Sequence, residues 1–288
     1  MKLLSPSEAV HLLSDLTAEA YQLVGRLPGG ESGAYEILGP GNSRLVAKWE
    51  LDPISQNARR VAVELTARLH DYAAWPVPQQ RIFESDTCLF VLQEFLPGQS
   101  VRVLSTVMLT RLLELHEARI GLARFEDTSN WPDQLIQTLL LGGHDYCLHS
   151  SLRNYDARTA RLLDRIVEIG SGIAPSDLPG TDIVHWDLHA GNLLQINDGL
   201  TGIVDTDFVK VGDAAFDLAT LAVSACAIDC EPGVRELLFE RAIEPLNEAR
   251  RHAYIGHLLL RVIDWPIRYG RTDEVEFWLS QSDRLLPP

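Results

Sequence analysis

The chain has 288 residues, and 25 basic against 40 acidic residues give a formal charge of −15. That length buries a full core in one large domain or two lobes, and the acidic balance excludes a protein that holds nucleic acid by its overall field. Hydrophobic residues at 46% and charged residues at 23% make the composition globular, not disordered.

Ser5-Pro6-Ser7-Glu8 reads as a helix start, followed by apolar Val10, Leu12, Leu13 and Leu16. Extended stretches at 21–27, 34–38 and 44–49 are separated by turns, the first of them rich in glycine from Gly29 to Gly33. A helical pattern over 57–72 carries Val61, Leu65 and Leu69 on one stripe, with Glu64 beside it. Strands resume at 80–84 and 88–94 and stop at Phe95-Leu96-Pro97-Gly98. Helical patterns then cover 105–119, 131–141, 159–169, 217–227 and 234–260. A β-rich first part, 1–97, and a mainly helical second part, 98–288, predict an α+β fold with two lobes.

Cys88, Cys147, Cys226 and Cys230 form no CxxC pair and read as small buried hydrophobes. The N-terminal apolar run breaks at Ser5-Pro6, and the longest apolar stretch, 218–228, is too short to cross a bilayer. A cytoplasmic protein away from membranes is the expectation.

One segment of the helical part is not helical: His185-Trp186-Asp187-Leu188-His189-Ala190-Gly191-Asn192, followed by Ile203-Val204-Asp205-Thr206-Asp207. Each carboxylate follows an apolar run, as where short strands deliver polar groups to a cleft. Asp187, Asn192 and Asp205 are oxygen donors, which suit Mg²⁺ and a hydroxyl group better than a softer metal. A carboxylate five residues before an Asn and eighteen before a second Asp matches the kinase arrangement. His185 and His189, four apart, suggest a zinc pair, but a third ligand and the helix are missing.

This segment resembles the catalytic loop of aminoglycoside phosphotransferases and related small-molecule kinases, usually written HGDLHxxN, with D-L-A at Asp217-Leu218-Ala219 downstream. Val46-Ala47-Lys48 looks like the family's strand lysine, Glu64 like its helix partner, and Gln93-Glu94-Phe95-Leu96 like the adenine hinge. The resemblance implies a protein-kinase-like fold with two lobes. It implies that Asp187 deprotonates the acceptor hydroxyl, that Asn192 and Asp205 hold Mg²⁺, and that Lys48, fixed by Glu64, reaches the phosphates of ATP (or GTP). Glu94 and Leu96 would read the adenine edge, Ser32 would approach the phosphates, and His185 and Asp217 would brace the loop. Trp186 stands where the family usually has Gly, and Thr206 where it commonly has Trp.

The expected function is phosphorylation of a small cationic antibiotic, an aminoglycoside or a tuberactinomycin-type cyclic peptide, giving resistance or self-protection. Asp229, Glu231, Asp264 and Trp265 are the candidate acceptor contacts, because carboxylates grip cationic acceptors and these residues interrupt apolar helices beyond the metal motif. Residues 98–288 hold 17 basic and 28 acidic residues, a net −11 that favours a cation. The alternatives are a choline, sugar or amino-alcohol kinase, or a non-catalytic nucleotide-binding protein of the same fold.

Overall fold

The structure is a computed structural model and describes residues 4–28, 33–124, 127 and 130–287. The chain divides into two compact units, residues 1–101 with 191–210 and residues 102–190 with 211–288. The first unit thus contains the expected β-rich part, 1–97, and also takes in a segment from far downstream.

In the first unit, helix α1 (Pro6–Thr17) starts on a capping box between Ser5 and Glu8, with Pro6 in the first turn where its missing N–H costs nothing. Strands β1 (Gln22–Arg26), β2 (Tyr35–Leu38), β3 (Arg44–Glu50), β4 (Gln80–Glu84) and β5 (Leu89–Glu94) form an antiparallel sheet in the order β1-β2-β3-β5-β4. Ala9, Val10 and Leu13 of α1 meet Ile37, Ala47, Phe90 and Leu92 in the core on one face of this sheet. Strand alternation then places Lys48, next to Ala47, on the opposite face. Helix α2 (Pro53–Ala73), capped by the Asp52 side chain on the Ser55 N–H, packs against β3, β4 and the turn Thr206–Phe208.

The downstream segment joins this unit by backbone pairing. Strands Leu193–Ile196 and Gly199–Ile203 form an antiparallel hairpin, Gln99–Ser100 pairs with the first of them, and the Ile203 N–H donates to the Pro76 carbonyl at 2.8 Å. Linear reading puts this hairpin with its helical sequence neighbours, because such pairing is not local.

The second unit is mainly helical: α3 (Thr106–Ala118), α4 (Trp131–Leu141), α5 (His149–Tyr155), α6 (Ala157–Gly172), α7 (Ala215–Ser224), α8 (Val234–Ala242), α9 (Glu248–Arg268) and α10 (Thr272–Leu285). The pattern expected over 234–260 is two helices, since Pro245 lacks an amide donor and Asn247 caps α9. Helix α9 is buried almost continuously from Ala253 to Leu260 and packs on α4, α5, α6, α7 and α10. A Cβ at Gly170 would lie 2.8 Å from Leu139 Cβ, so glycine lets α6 approach α4. Cys88 and Cys147 are buried free thiols, and Cys226 and Cys230 are half-buried ones. No described helix is long and apolar enough to cross a membrane.

Candidate functional site

In the first unit, Lys48 is nearly wholly buried and lies between two carboxylates, with Nζ 2.8 Å from Asp205 Oδ1 and 2.7 Å from Asp207 Oδ2. Burial opposes the ammonium charge, but Asp207 and Asp205 outweigh it and raise the lysine pKa. Asp207 also pairs with Arg59 from α2. Its burial would favour the neutral acid, yet Lys48 and Arg59 hold it below the usual carboxylate range. Asp205 follows the hairpin with φ 60°, a left-handed conformation that Asp tolerates better than bulkier residues. One third of its side chain remains exposed. Gln80 Nε2 donates to Thr206 Oγ1 at 2.8 Å and fixes the turn between the two carboxylates.

The Lys48–Glu64 pair expected from the family resemblance is not formed. Glu64 is 65% exposed and accepts from Arg68 one turn along α2 at 2.6 Å. A buried ammonium needs anions that are themselves out of water, and Asp205 and Asp207 supply them on a turn packed against α2. Glu94 ends β5 and donates its N–H to the Gln79 carbonyl at 2.9 Å, so its carbonyl is the backbone group that could read an adenine amino group. A Cβ at Gly202 would lie 3.0 Å from Leu96 Cδ1, so glycine admits the Leu96 side chain against the hairpin. Ser32 lies outside the described residues.

Asn192 and Asp205 belong to the same end of the hairpin: Leu193 pairs with Ile203, and the Val204 N–H donates to the Asn192 carbonyl at 2.9 Å. One amide and one partly exposed carboxylate are hard oxygen donors, a set that fits Mg²⁺ with phosphate oxygens and water completing its shell. Among the described residues no group of three or more His, Cys, Asp or Glu could hold a metal ion without such help.

In the second unit, the loop around Asp187 is held from behind. Asp217, fully buried on α7, accepts the His185 N–H at 2.7 Å and the Trp186 N–H at 2.9 Å. Arg119 neutralises it and also donates to the carbonyls of Ile183 (3.2 Å) and Ala214 (3.0 Å). The His185 Nδ1 accepts the Asp187 N–H at 3.3 Å. Trp186 has φ 74°, the left-handed region where glycine is unstrained, which accounts for the glycine usual in this motif. Its indole is buried, stacked on Phe216 at 5.0 Å and edge-on to Trp131 at 5.3 Å and His257 at 5.0 Å.

Asp187 receives Arg261 Nη1 on Oδ1 at 2.9 Å and has His189 Nε2 3.5 Å from Oδ2. Burial works against its ionisation, but His189, Arg261 and His185 together hold the carboxyl well below the usual range. It is therefore a carboxylate, ready to accept a proton or a hydroxyl hydrogen bond.

The four acceptor candidates all lie in this unit, in different settings. Glu231 accepts the Thr106 N–H and Oγ1 at 2.8 and 2.9 Å and so caps the start of α3. Asp264 is buried and bonded to Ser151 and Arg268. Trp265 packs on Tyr269 at 4.9 Å and lies under Arg271, and Asp229 is exposed on a short strand paired with Val103. Glu231 and Asp264 thus have protein partners that account for them. Arg261 and Arg59 were not legible from the motif, because arginines on helical stripes carry no sign of their partners. Asp207, two residues beyond Asp205, carried a signal in its spacing alone.

The sequence profile of the phosphotransferase enzyme family (APH) matches residues 24–254, most of the chain, and the chain belongs to that family. It is 30% identical over 104 residues to a homoserine kinase of Methylocella silvestris, a stretch covering 32% of this chain. The chain spans about a third of the length of the curated relatives it matches, 32% for this one. Among solved structures it is similar to aminoglycoside phosphotransferase APH(4)-Ia, with TM-score 0.66, 18% identity and 98% of each chain covered. A thermostable mutant of that protein has been solved with ADP and hygromycin B. A macrolide 2'-phosphotransferase type I matches with TM-score 0.57, 17% identity and 98% of each chain covered. The fold is thus the α+β fold of these kinases, with a β-sheet N-terminal region and a mainly helical C-terminal part.

Proposed function

We propose that the chain is an ATP- and Mg²⁺-dependent O-phosphotransferase that acts on a hydroxyl of a small molecule. The observation that carries this reading is the buried Lys48, brought within 2.8 Å of Asp205 across 157 residues of sequence. A strand lysine for phosphates and a carboxylate for the metal are the two groups this chemistry calls for, and here they lie side by side. Asp187 takes the hydroxyl proton, and its depressed pKa keeps it ionised throughout the neutral range. Asn192 and Asp205 would hold the metal, which when bound neutralises charge on the transferring phosphoryl group. Lys48 gives up part of its pairing to grip phosphate oxygens, while Asp207, backed by Arg59, keeps the ammonium in place. Glu94 and Leu96 offer backbone groups to the adenine.

For the acceptor, a basic hydroxylated antibiotic is the first reading, supported by the net −11 of residues 98–288 and by the fold shared with APH(4)-Ia. The second is an amino alcohol such as homoserine, supported by the 104-residue similarity to the Methylocella enzyme. Purified protein with ATP and Mg²⁺ is to be offered aminoglycosides, tuberactinomycin peptides, macrolides, homoserine, choline and simple sugars. The expected result is one phosphorylated product by mass spectrometry, lost in Asp187→Asn. No transfer to any of these acceptors, with no ATP consumed, refutes the proposal. An expressing host that gains resistance only with the wild-type protein selects the antibiotic reading.

A further inference from the structure

The carboxylate of Asp187 is gripped by a residue 74 positions downstream. Arg261 on α9 spans two consecutive residues of the loop, its Nη1 donating to the Trp186 carbonyl at 3.0 Å and to Asp187 Oδ1 at 2.9 Å. The guanidinium also lies over the Trp186 ring, 5.4 Å from its centroid. The His189 Nε2 lies 3.5 Å from Oδ2.

This arrangement is not one that stability alone selects. Arg261 Nη2 is buried and makes no hydrogen bond among the described residues. A desolvated donor left unpaired costs free energy, and an apolar side chain of similar length would avoid that cost. What the arginine does supply is direction. It ties the carboxylate to a backbone carbonyl that is fixed through the Trp186 N–H on Asp217.

We propose that Arg261 is a positioning residue of the phosphotransfer reaction, holding Oδ1 of Asp187 and so fixing the orientation in which the carboxylate meets the acceptor hydroxyl. The inference rests on Asp187 being the base, as read above. It extends that reading by naming what orients the base, a side chain from α9 outside the motif. The charged and titratable groups facing the carboxylate include Arg261 from α9 and His185 and His189 from the loop itself. Loss of the arginine removes the one permanent cation of the three.

The test uses the full-length protein and the variants Arg261→Met and Arg261→Lys. Carboxyl ¹³C resonances are followed by NMR against pH, with Asp187 assigned from the Asp187→Asn spectrum. In the wild type the Asp187 signal stays that of a carboxylate down to about pH 4, the ordinary range for aspartate. In Arg261→Met its titration moves up, and Arg261→Lys falls between. In kinetics, Arg261→Met is expected to lower kcat on the order of 100-fold through misplacement of the base. KM for ATP should stay within about twofold. The acid limb of the kcat–pH profile should rise with the NMR midpoint, and Arg261→Lys should recover part of the rate. An unmoved Asp187 titration in Arg261→Met overturns the proposal, as does an unchanged kcat. A fall in kcat that Arg261→Lys does not relieve and that leaves the pH profile in place also overturns it, because that is the pattern of a structural role. If the wild type transfers phosphate to no acceptor, the phosphotransferase reading fails, while the NMR titration still decides whether Arg261 governs the carboxylate.

Discussion

Replacing Trp186 by glycine restores the residue usual in the family motif, and the structure predicts that this destabilises the protein. Two opposing effects meet at the position. The left-handed backbone, φ 74°, costs a residue other than glycine roughly 1–2 kcal/mol. Against this, the indole is 3% exposed and stacked on Phe216, with Trp131 and His257 at its edges. Truncating such a buried ring costs about 3–5 kcal/mol. Glycine adds about 0.5–1 kcal/mol of backbone entropy relative to alanine. The sum for Trp186→Gly is a net loss of about 3 kcal/mol, tolerable against a stability of about 5–15 kcal/mol. Trp186→Ala keeps the backbone strain and loses the same ring, so it should fall below the glycine variant by about 0.5–1 kcal/mol. Urea denaturation followed by near- and far-ultraviolet circular dichroism gives both differences. The expected stability order is tryptophan, then glycine, then alanine. A glycine variant as stable as the wild type refutes the packing half of the reasoning, and an alanine variant above the glycine one refutes the strain half.

Glu64→Gln should change stability by no more than about 0.5 kcal/mol, the range of an exposed pair one helical turn apart, and should leave kcat/KM within about threefold. A loss of activity on the order of 100-fold would show that Glu64, not Asp207, anchors Lys48 during the reaction. His116 is a third test. Burial, then Arg119, lowers its pKa from 6.5 to about 4, and its Nδ1 takes Arg119 Nη2 at 3.3 Å. A histidine held neutral in the fold contributes stability that is present above its unfolded pKa of 6.5 and is lost as the pH falls toward 4. The full span is roughly 3 kcal/mol. His116→Asn should therefore flatten the fall in unfolding free energy between these two pH values, and parallel curves for variant and wild type would reject the assignment.

The residues of the candidate site were largely legible in the sequence because they sit in local motifs. Asp187, Asn192 and Asp205 are marked by spacing, and Lys48 is one of only three lysines. The strands over 80–84 and the helix over 131–141 were legible to the residue, since apolar period and turn residues agreed there. What escaped was non-local. The hairpin over 193–203 joins the first unit through pairing with Gln99–Ser100, which no periodicity announces. Arg261 sits within an amphipathic helix whose apolar positions are read easily, while the partners of its arginines, Arg250, Arg261 and Arg268, are not. Glu64 illustrates the converse: correct order and spacing on α2 did not fix which carboxylate the lysine meets, because Asp207 competes from a distant turn.

The indole that fills the glycine position also makes the loop visible to light. Trp186 and Trp131 lie 5.3 Å apart with planes at 86°, a fixed, asymmetric pair of chromophores beside Phe216 and Tyr254. Such a cluster gives a near-ultraviolet dichroic band that exists only while its packing is intact. One peptide bond separates this chromophore from Asp187, and Arg261 touches both residues. Changes at the carboxylate can thus be followed by the protein's own ultraviolet signal, with no label attached.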